Sequence, residues 1–279
     1  MSAAIGGEPV SVPATAVRDA DERLRTAAAT GAPCAPVRDL LGDDQDAAYA
    51  VQSLGVARRL AAGRRLIGRK IGLTAPAVQA QFGVFSPDYG ALFDDMVAAD
   101  REPLDLARFL QPRVEAEVAF VLGGDLACPT ANVADVLRAT EFVLPAIEVV
   151  DSRIAGWDIR IADTIADNAS SGAIVLGTTP RSLDGFDLAA AGMSLDLAGE
   201  VVSTGSGAAC LGSPVTAVAW LARAVARHGS PLRAGDIILS GALGPMVAVT
   251  GPGVFRARID GLGEVRAAFT DSRAEGAAA

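Results

Sequence analysis

Near residue 66 the spacing of apolar residues changes, and this change limits the fold more than any other feature of the chain. Over 44–62, Ala47, Val51, Leu54, Ala57 and Ala61 recur at intervals of three and four, the signature of a helix with one buried face. Past residue 66, short apolar runs alternate with Gly, Pro and Asp turns, which reads as strands. The expectation is an α+β chain, with a helical N-terminal region over 1–65 and a β-rich body over 66–273.

Within the first region, residues 1–13 are expected to be loose, and 33–43, with Pro33 and Pro36, to link two helices. Strands are expected at 67–73, 114–122, 143–150, 173–177, 193–203, 237–240, 246–250 and 253–269. The last should fold into a hairpin about Asp260-Gly261-Leu262-Gly263. Helices are expected at 131–141 and 214–228; for the second, Ser213 stands at the N-cap, Pro214 at the first turn and Gly229 past the end.

Charge and cysteine usage remove several classes of function. The net charge of −9 over 279 residues repels phosphate backbones and anionic membranes. The most apolar helical stretch, 215–226, reads as too short to span a bilayer and carries Arg223. Cys34, Cys128 and Cys210 are widely spaced, form no C-x-x-C pair, and suit a reducing, cytoplasmic compartment. No signal peptide is expected from the N-terminal residues.

The most informative stretch is Arg113-Val114-Glu115-Ala116-Glu117-Val118-Ala119-Phe120-Val121. On a strand, alternate residues share a face. Val114, Ala116, Val118 and Phe120 then make one apolar face, and Glu115 and Glu117 share the other with Ala119 and Val121. Glu148 stands alone in the apolar run Val143–Val150. A lone buried carboxylate costs several kcal/mol unless it is paired or metal-bound. Two readings follow. Either the three acids bind a hard divalent cation, Mg²⁺ or Mn²⁺, or Glu115 and Glu117 lie on a solvated edge while Glu148 pairs with Arg153.

Other segments offer chemistry more weakly. Lys70, between glycines in Gly68–Leu73, is either an acid–base group or an ordinary exposed lysine. Ser86-Pro87-Asp88-Tyr89-Gly90 reads as a turn whose Asp88 is either catalytic or capping. Asp163–Gly172 is dense in small polar groups. Leu239–Pro245 has glycines that would let backbone N–H groups approach an anion. His228, the single histidine, ends a helix and reads as structural, so a Ser-His-Asp arrangement is not expected.

Four stretches together resemble the 2-keto-4-pentenoate hydratase family of the fumarylacetoacetate hydrolase-like superfamily. They are GRKIGLTAPAVQAQFGVFSPDYGALFDDM (68–96), RVEAEVAFVL (113–122), LPAIEVVDSRIAGWDIRIADTIADNASSG (144–172) and ILSGALGPMV (238–247). The resemblance implies a β-rich mixed-sheet roll, metal ligands at Glu115, Glu117 and Glu148, a catalytic lysine at Lys70, an acid at Asp88 and a polar contact at Ser170. Ser170 and the 240–244 loop, with Ser240, Gly241 and Leu243, are expected to hold the substrate's carboxylate end.

The activity implied is addition of water to 2-hydroxypenta-2,4-dienoate or a close relative, giving a 4-hydroxy-2-oxo acid in meta-cleavage aromatic catabolism. A homo-oligomer is implied too, as is association with a decarboxylase or aldolase of the same pathway. A 4-oxalocrotonate-type decarboxylase is the nearest rival, because it shares the enolate logic. A non-catalytic partner subunit is a second rival, but it should have lost site residues that this chain keeps.

Overall fold

The computed structural model describes residues 12–75, 79, 84 and 86–272. Residues 1–11, part of the segment expected to be loose, and 273, the end of the expected body, lie outside the described residues. Three helices open the chain: α1 (Ala14–Thr30), the short α2 (Arg38–Leu41) and α3 (Gln45–Ala61). Asp44 caps α3 by accepting from the Ala47 amide, and Gly31 ends α1 in the left-handed conformation. The expected 33–43 link therefore contains a helical turn of its own.

The strands form two sheets. The larger has the order β2 (Asp88–Phe93), β1 (Leu66–Gly72), β10 (Ile237–Leu239), β5 (Pro112–Leu122), β6 (Thr140–Asp151), β7 (Ser171–Leu176), β3 (Val97–Ala99), with β11 (Val247–Ala248) paired to β5. The smaller runs β4 (Pro103–Asp105), β13 (Gly263–Thr270), β12 (Gly253–Ile259), β8 (Gly192–Leu197), β9 (Glu200–Ser206). Both sheets are mixed, since β1 lies parallel to β10 and β4 parallel to β13 among antiparallel neighbours.

The alternation read along β5 is realised. Val114, Ala116, Val118 and Phe120 enter the main core with Phe255, Val265 and Phe269 of the smaller sheet. Ala119 faces the other way, into a separate cluster with Ala146, Ile174 and Leu239. Pro214–Arg227, here α6, buries Val218, Leu221 and Val225 in the main core. The N-terminal helices pack instead on α5 (Ile161–Ala166) through Leu24, Val51, Ile161 and Ile165.

Several expectations need correction. The run 193–203 is a hairpin, β8–β9, which turns at Ala198 and Gly199, both with positive φ. A turn made of Ala-Gly lacks the Asn-Gly signal by which such hairpins are recognised. Strands β2, β3 and β4 were not expected; β3 and β4 are three residues each, too short to show a period. Ser86–Gly90 is not a turn throughout, because Asp88 opens β2 and is buried. The expected 131–141 helix is Val133–Ala139, called α4, and is capped by Asn132. The α-helix that carries 215–226 has 14 residues, too short for a span as read, although the longer run Gly207–Arg227 is apolar and long enough by composition to cross a membrane. It is broken at Leu211 and Gly212, both with positive φ, and half buried in the protein, as a core helix is.

Candidate active site

Glu115 and Glu117 stand on β5 and Glu148 on β6, with Glu115 and Glu148 directly opposite in register. One carboxylate oxygen from each of the three lies within 4.8 Å of the others. Glu117 and Glu148 are fully buried, and Glu115 is partly exposed. Neither reading that would make these acids structural holds. β5 is an interior strand, not an edge, and Arg153 pairs with Asp167 rather than with Glu148.

Glu117 Oε1 and both oxygens of Glu148 lack a hydrogen-bond partner among the described residues. Three carboxylates gathered this closely, with buried oxygens that accept no hydrogen bond, fit a hard cation, which takes oxygen donors and would keep positions for water and substrate. Burial first, and then mutual repulsion, raises the pKa of Glu117, and that of Glu115 up to about 7. Burial raises Glu148 as well, against the pull of Lys70.

Lys70 sits on β1 with its Nζ 3.2 Å from Glu148 Oε1, an ion pair outside hydrogen-bond geometry. Burial alone would lower its pKa, but Glu148, Asp88, Glu115 and Glu117 outweigh burial and hold it above the ordinary lysine value. It is therefore a fixed ammonium at neutral pH. Asp88, on the adjacent β2, is 1% exposed. Burial raises its pKa although Lys70 and Thr164 oppose the shift. Thr164 Oγ1 donates to Asp88 Oδ2 at 3.1 Å, and Asp88 Oδ1 has no partner among the described residues.

Ser170 is delivered by strain. Asn168, Ala169 and Ser170 have φ of 56°, 50° and 53°, three consecutive left-handed residues without a glycine. Each such residue costs on the order of 1–2 kcal/mol, so the surroundings must hold the turn in place. Asn168 supplies part of that hold: its side chain accepts from Ala91 N at 2.7 Å and donates to Ala91 O at 2.9 Å, like a strand added to the edge of β2. Gly90 makes room, since a Cβ there would lie 2.4 Å from Asn168 O. The result is a buried Ser170 hydroxyl with no partner among the described residues.

The 239–245 loop is fastened through three of its own amides. Ser240 N donates to Val118 O at 3.0 Å, and Leu243 N to Ala116 O at 2.9 Å. The Ser240 hydroxyl accepts from Val118 N and donates to Gly241 O. Gly241 N donates to Glu117 Oε2 at 2.8 Å, from a φ of +98° that favours glycine. Ser240, Gly241 and Leu243, the residues expected near the substrate, fasten the loop to β5 and hold the Glu117 carboxylate. Sequence reading missed this, and missed Thr164 and Asn168 as individuals, because their partners are distant in the chain.

The match to the fumarylacetoacetate (FAA) hydrolase C-terminal family covers residues 73–270. The chain is 59% identical over 255 residues to the TodF product hydratase of Pseudomonas putida, covering 91% of this chain and 95% of that one. It is 54% identical over 262 residues to the 2-keto-4-pentenoate hydratase of Paraburkholderia xenovorans, covering 94% and 97%. The chain belongs to the 2-keto-4-pentenoate hydratase family. Among solved structures, 4-oxalocrotonate decarboxylase from Pseudomonas putida G7, complexed with magnesium and adipate, superposes with a TM-score of 0.88 at 34% identity, covering 92% of this chain and 98% of that one. Membership makes the protein a hydro-lyase of the divalent-metal-dependent kind, and the three-glutamate cluster has the donor set such a metal needs.

Proposed function

We propose that the protein adds water to 2-hydroxypenta-2,4-dienoate or a close relative, giving a 4-hydroxy-2-oxo acid in the meta-cleavage breakdown of aromatic compounds. The observation that carries this reading is the buried three-carboxylate cluster with open oxygens beside a fixed ammonium and a buried acid, in a chain of the hydratase family. Glu115, Glu117 and Glu148 would hold a divalent cation, which would supply Lewis-acid stabilisation of the negative charge on a 2-oxo acid.

The chain's own groups account for the proton movements. Ketonisation of the dienol needs a proton at C5, and hydration of the resulting enone places hydroxyl on C4 and a proton on C3. Asp88 carries the proton: burial favours its neutral form, Thr164 occupies Oδ2, and Oδ1 is left to give and take it. Lys70 keeps its charge, holds Glu148 and offsets charge gathering on the substrate. The Ser170 hydroxyl supplies a hydrogen bond to a polar substrate atom. A cytoplasmic location fits three free cysteines. A homo-oligomer and association with a pathway decarboxylase or aldolase belong to the same reading.

The test is to supply 2-hydroxypenta-2,4-dienoate with and without Mg²⁺ after chelation, following loss of conjugated absorbance and product mass. A metal-dependent gain of one water is expected. Inertness toward that substrate together with loss of CO₂ from 4-oxalocrotonate would move the assignment to the decarboxylase.

A further inference from the structure

We propose that Gln52, on α3 of the N-terminal helical region, is a positioning residue that sets the contact between Asp88 and Thr164; this rests on the reading of Asp88 as the proton-carrying acid. Gln52 is a buried polar side chain, 7% exposed. Its Nε2 donates to Tyr89 O at 2.9 Å and to Ile165 O at 3.0 Å. Each of those carbonyls belongs to the residue that follows one member of the Asp88–Thr164 pair. One primary amide, with two hydrogens at fixed angle, thus spans the two segments that must keep their hydroxyl–carboxylate contact.

The fold gives both carbonyls a reason to need this donor. β2 ends the larger sheet, so the groups on its outer side have no strand to pair with. Asn168 satisfies that side at Ala91, and Gln52 satisfies it at Tyr89. Ile165 lies in the last turn of α5, where its carbonyl meets the cap amide of Asp167 and keeps a second lone pair for Gln52. Both of Gln52's side-chain hydrogen bonds go to these carbonyls and neither to the three glutamates, so its influence should reach the acid and spare the metal cluster.

The experiment compares Gln52→Met, which keeps the length and removes the donor, with wild type, Thr164→Val, Asp88→Asn and the Gln52→Met/Thr164→Val double variant. Small displacements of a reacting group cost one to two orders of magnitude, so kcat should fall about ten- to a hundredfold, with KM and Mn²⁺ affinity by titration nearly unchanged. The double variant should be no slower than the slower single variant, because both losses act through Asp88. Gln52→Glu covers the case in which Gln52→Met fails to fold: its carboxylate cannot donate, and its kcat relative to wild type should recover as acid pH restores one donor. A wild-type kcat in Gln52→Met, or losses that multiply in the double variant while Asp88→Asn is inactive, would overturn the proposal alone. Wild-type turnover in Asp88→Asn would remove the acid and the proposal together.

Discussion

Two sets of buried carboxylates occupy this protein, and they are treated in opposite ways. Asp163 is fully buried and saturated: it accepts from Val37 N at 2.8 Å, Arg38 N at 2.9 Å, Arg160 N at 2.9 Å and the Arg38 guanidinium at 2.7 Å. Asp167 is likewise held by Ser152 and by the backbone and guanidinium of Arg153. These acids tie the N-terminal helices and the 161–170 segment to the sheet. Glu117 and Glu148 are equally buried, yet three of their four oxygens have no hydrogen-bond partner among the described residues. The difference teaches how to tell a structural acid from a functional one. Burial alone does not decide it; the number of donors already committed does.

The sharpest way to test the contrast is to neutralise one acid of each set. Glu148→Gln should lower kcat/KM at least about a thousandfold, roughly 4 kcal/mol of transition-state stabilisation. Its metal-free melting temperature should change less than that of the Asp163 variant, since the loss of the Lys70 ion pair is offset by relief of repulsion from Glu115 and Glu117. Near-normal turnover in metal-limited buffer would count against the metal site. Asp163→Ala should behave in reverse. It strands Arg38 and three backbone donors, and should cost about 3 kcal/mol of stability in denaturant unfolding. An Asp163→Ala variant that melts like wild type would show that committed donors do not separate the two sets of acids.

A smaller effect tests the same contrast through pH. Burial, and then repulsion from Glu148, raises the Glu115 pKa to about 7, above the ordinary glutamate value of 4.5. The folded state therefore binds more protons than the unfolded chain between those values. Its contribution to stability is fully present below pH 4.5 and lost as pH rises through about 7. Metal must displace that proton, so Mn²⁺ affinity should weaken by about tenfold per pH unit below 7, and calorimetry should record proton release. A pH-independent affinity would mean that the cluster is already ionised.

Much of the site was legible in the chain because its signals are local. A period of two in Arg113–Val121 places Glu115 and Glu117 on one face, and an isolated acid in Val143–Val150 marks Glu148. Asp260–Gly263 announces its hairpin, and Ser213-Pro214 with Gly229 brackets α6. Short edge strands and the Ala198-Gly199 turn left no such mark. Family likeness added Lys70, Asp88 and Ser170, which their own surroundings in the sequence support no better than an ordinary surface lysine, a capping aspartate and a loop serine.

What the chain determined by itself is the kind of residue each face carries, because strand and helix periods are properties of neighbouring residues. Tertiary structure decided which acids are satisfied. Arg153 lies five residues from Glu148 yet bonds Asp167, whereas Glu148 meets Lys70 from a strand 78 positions earlier. Likewise the amides of the 239–245 loop turn to β5, and Gln52 reaches Tyr89 and Ile165 from another part of the chain. A hydrogen bond depends on angles and distances of a few ångströms, and only the packing of sheet against helix sets those between residues so far apart along the chain.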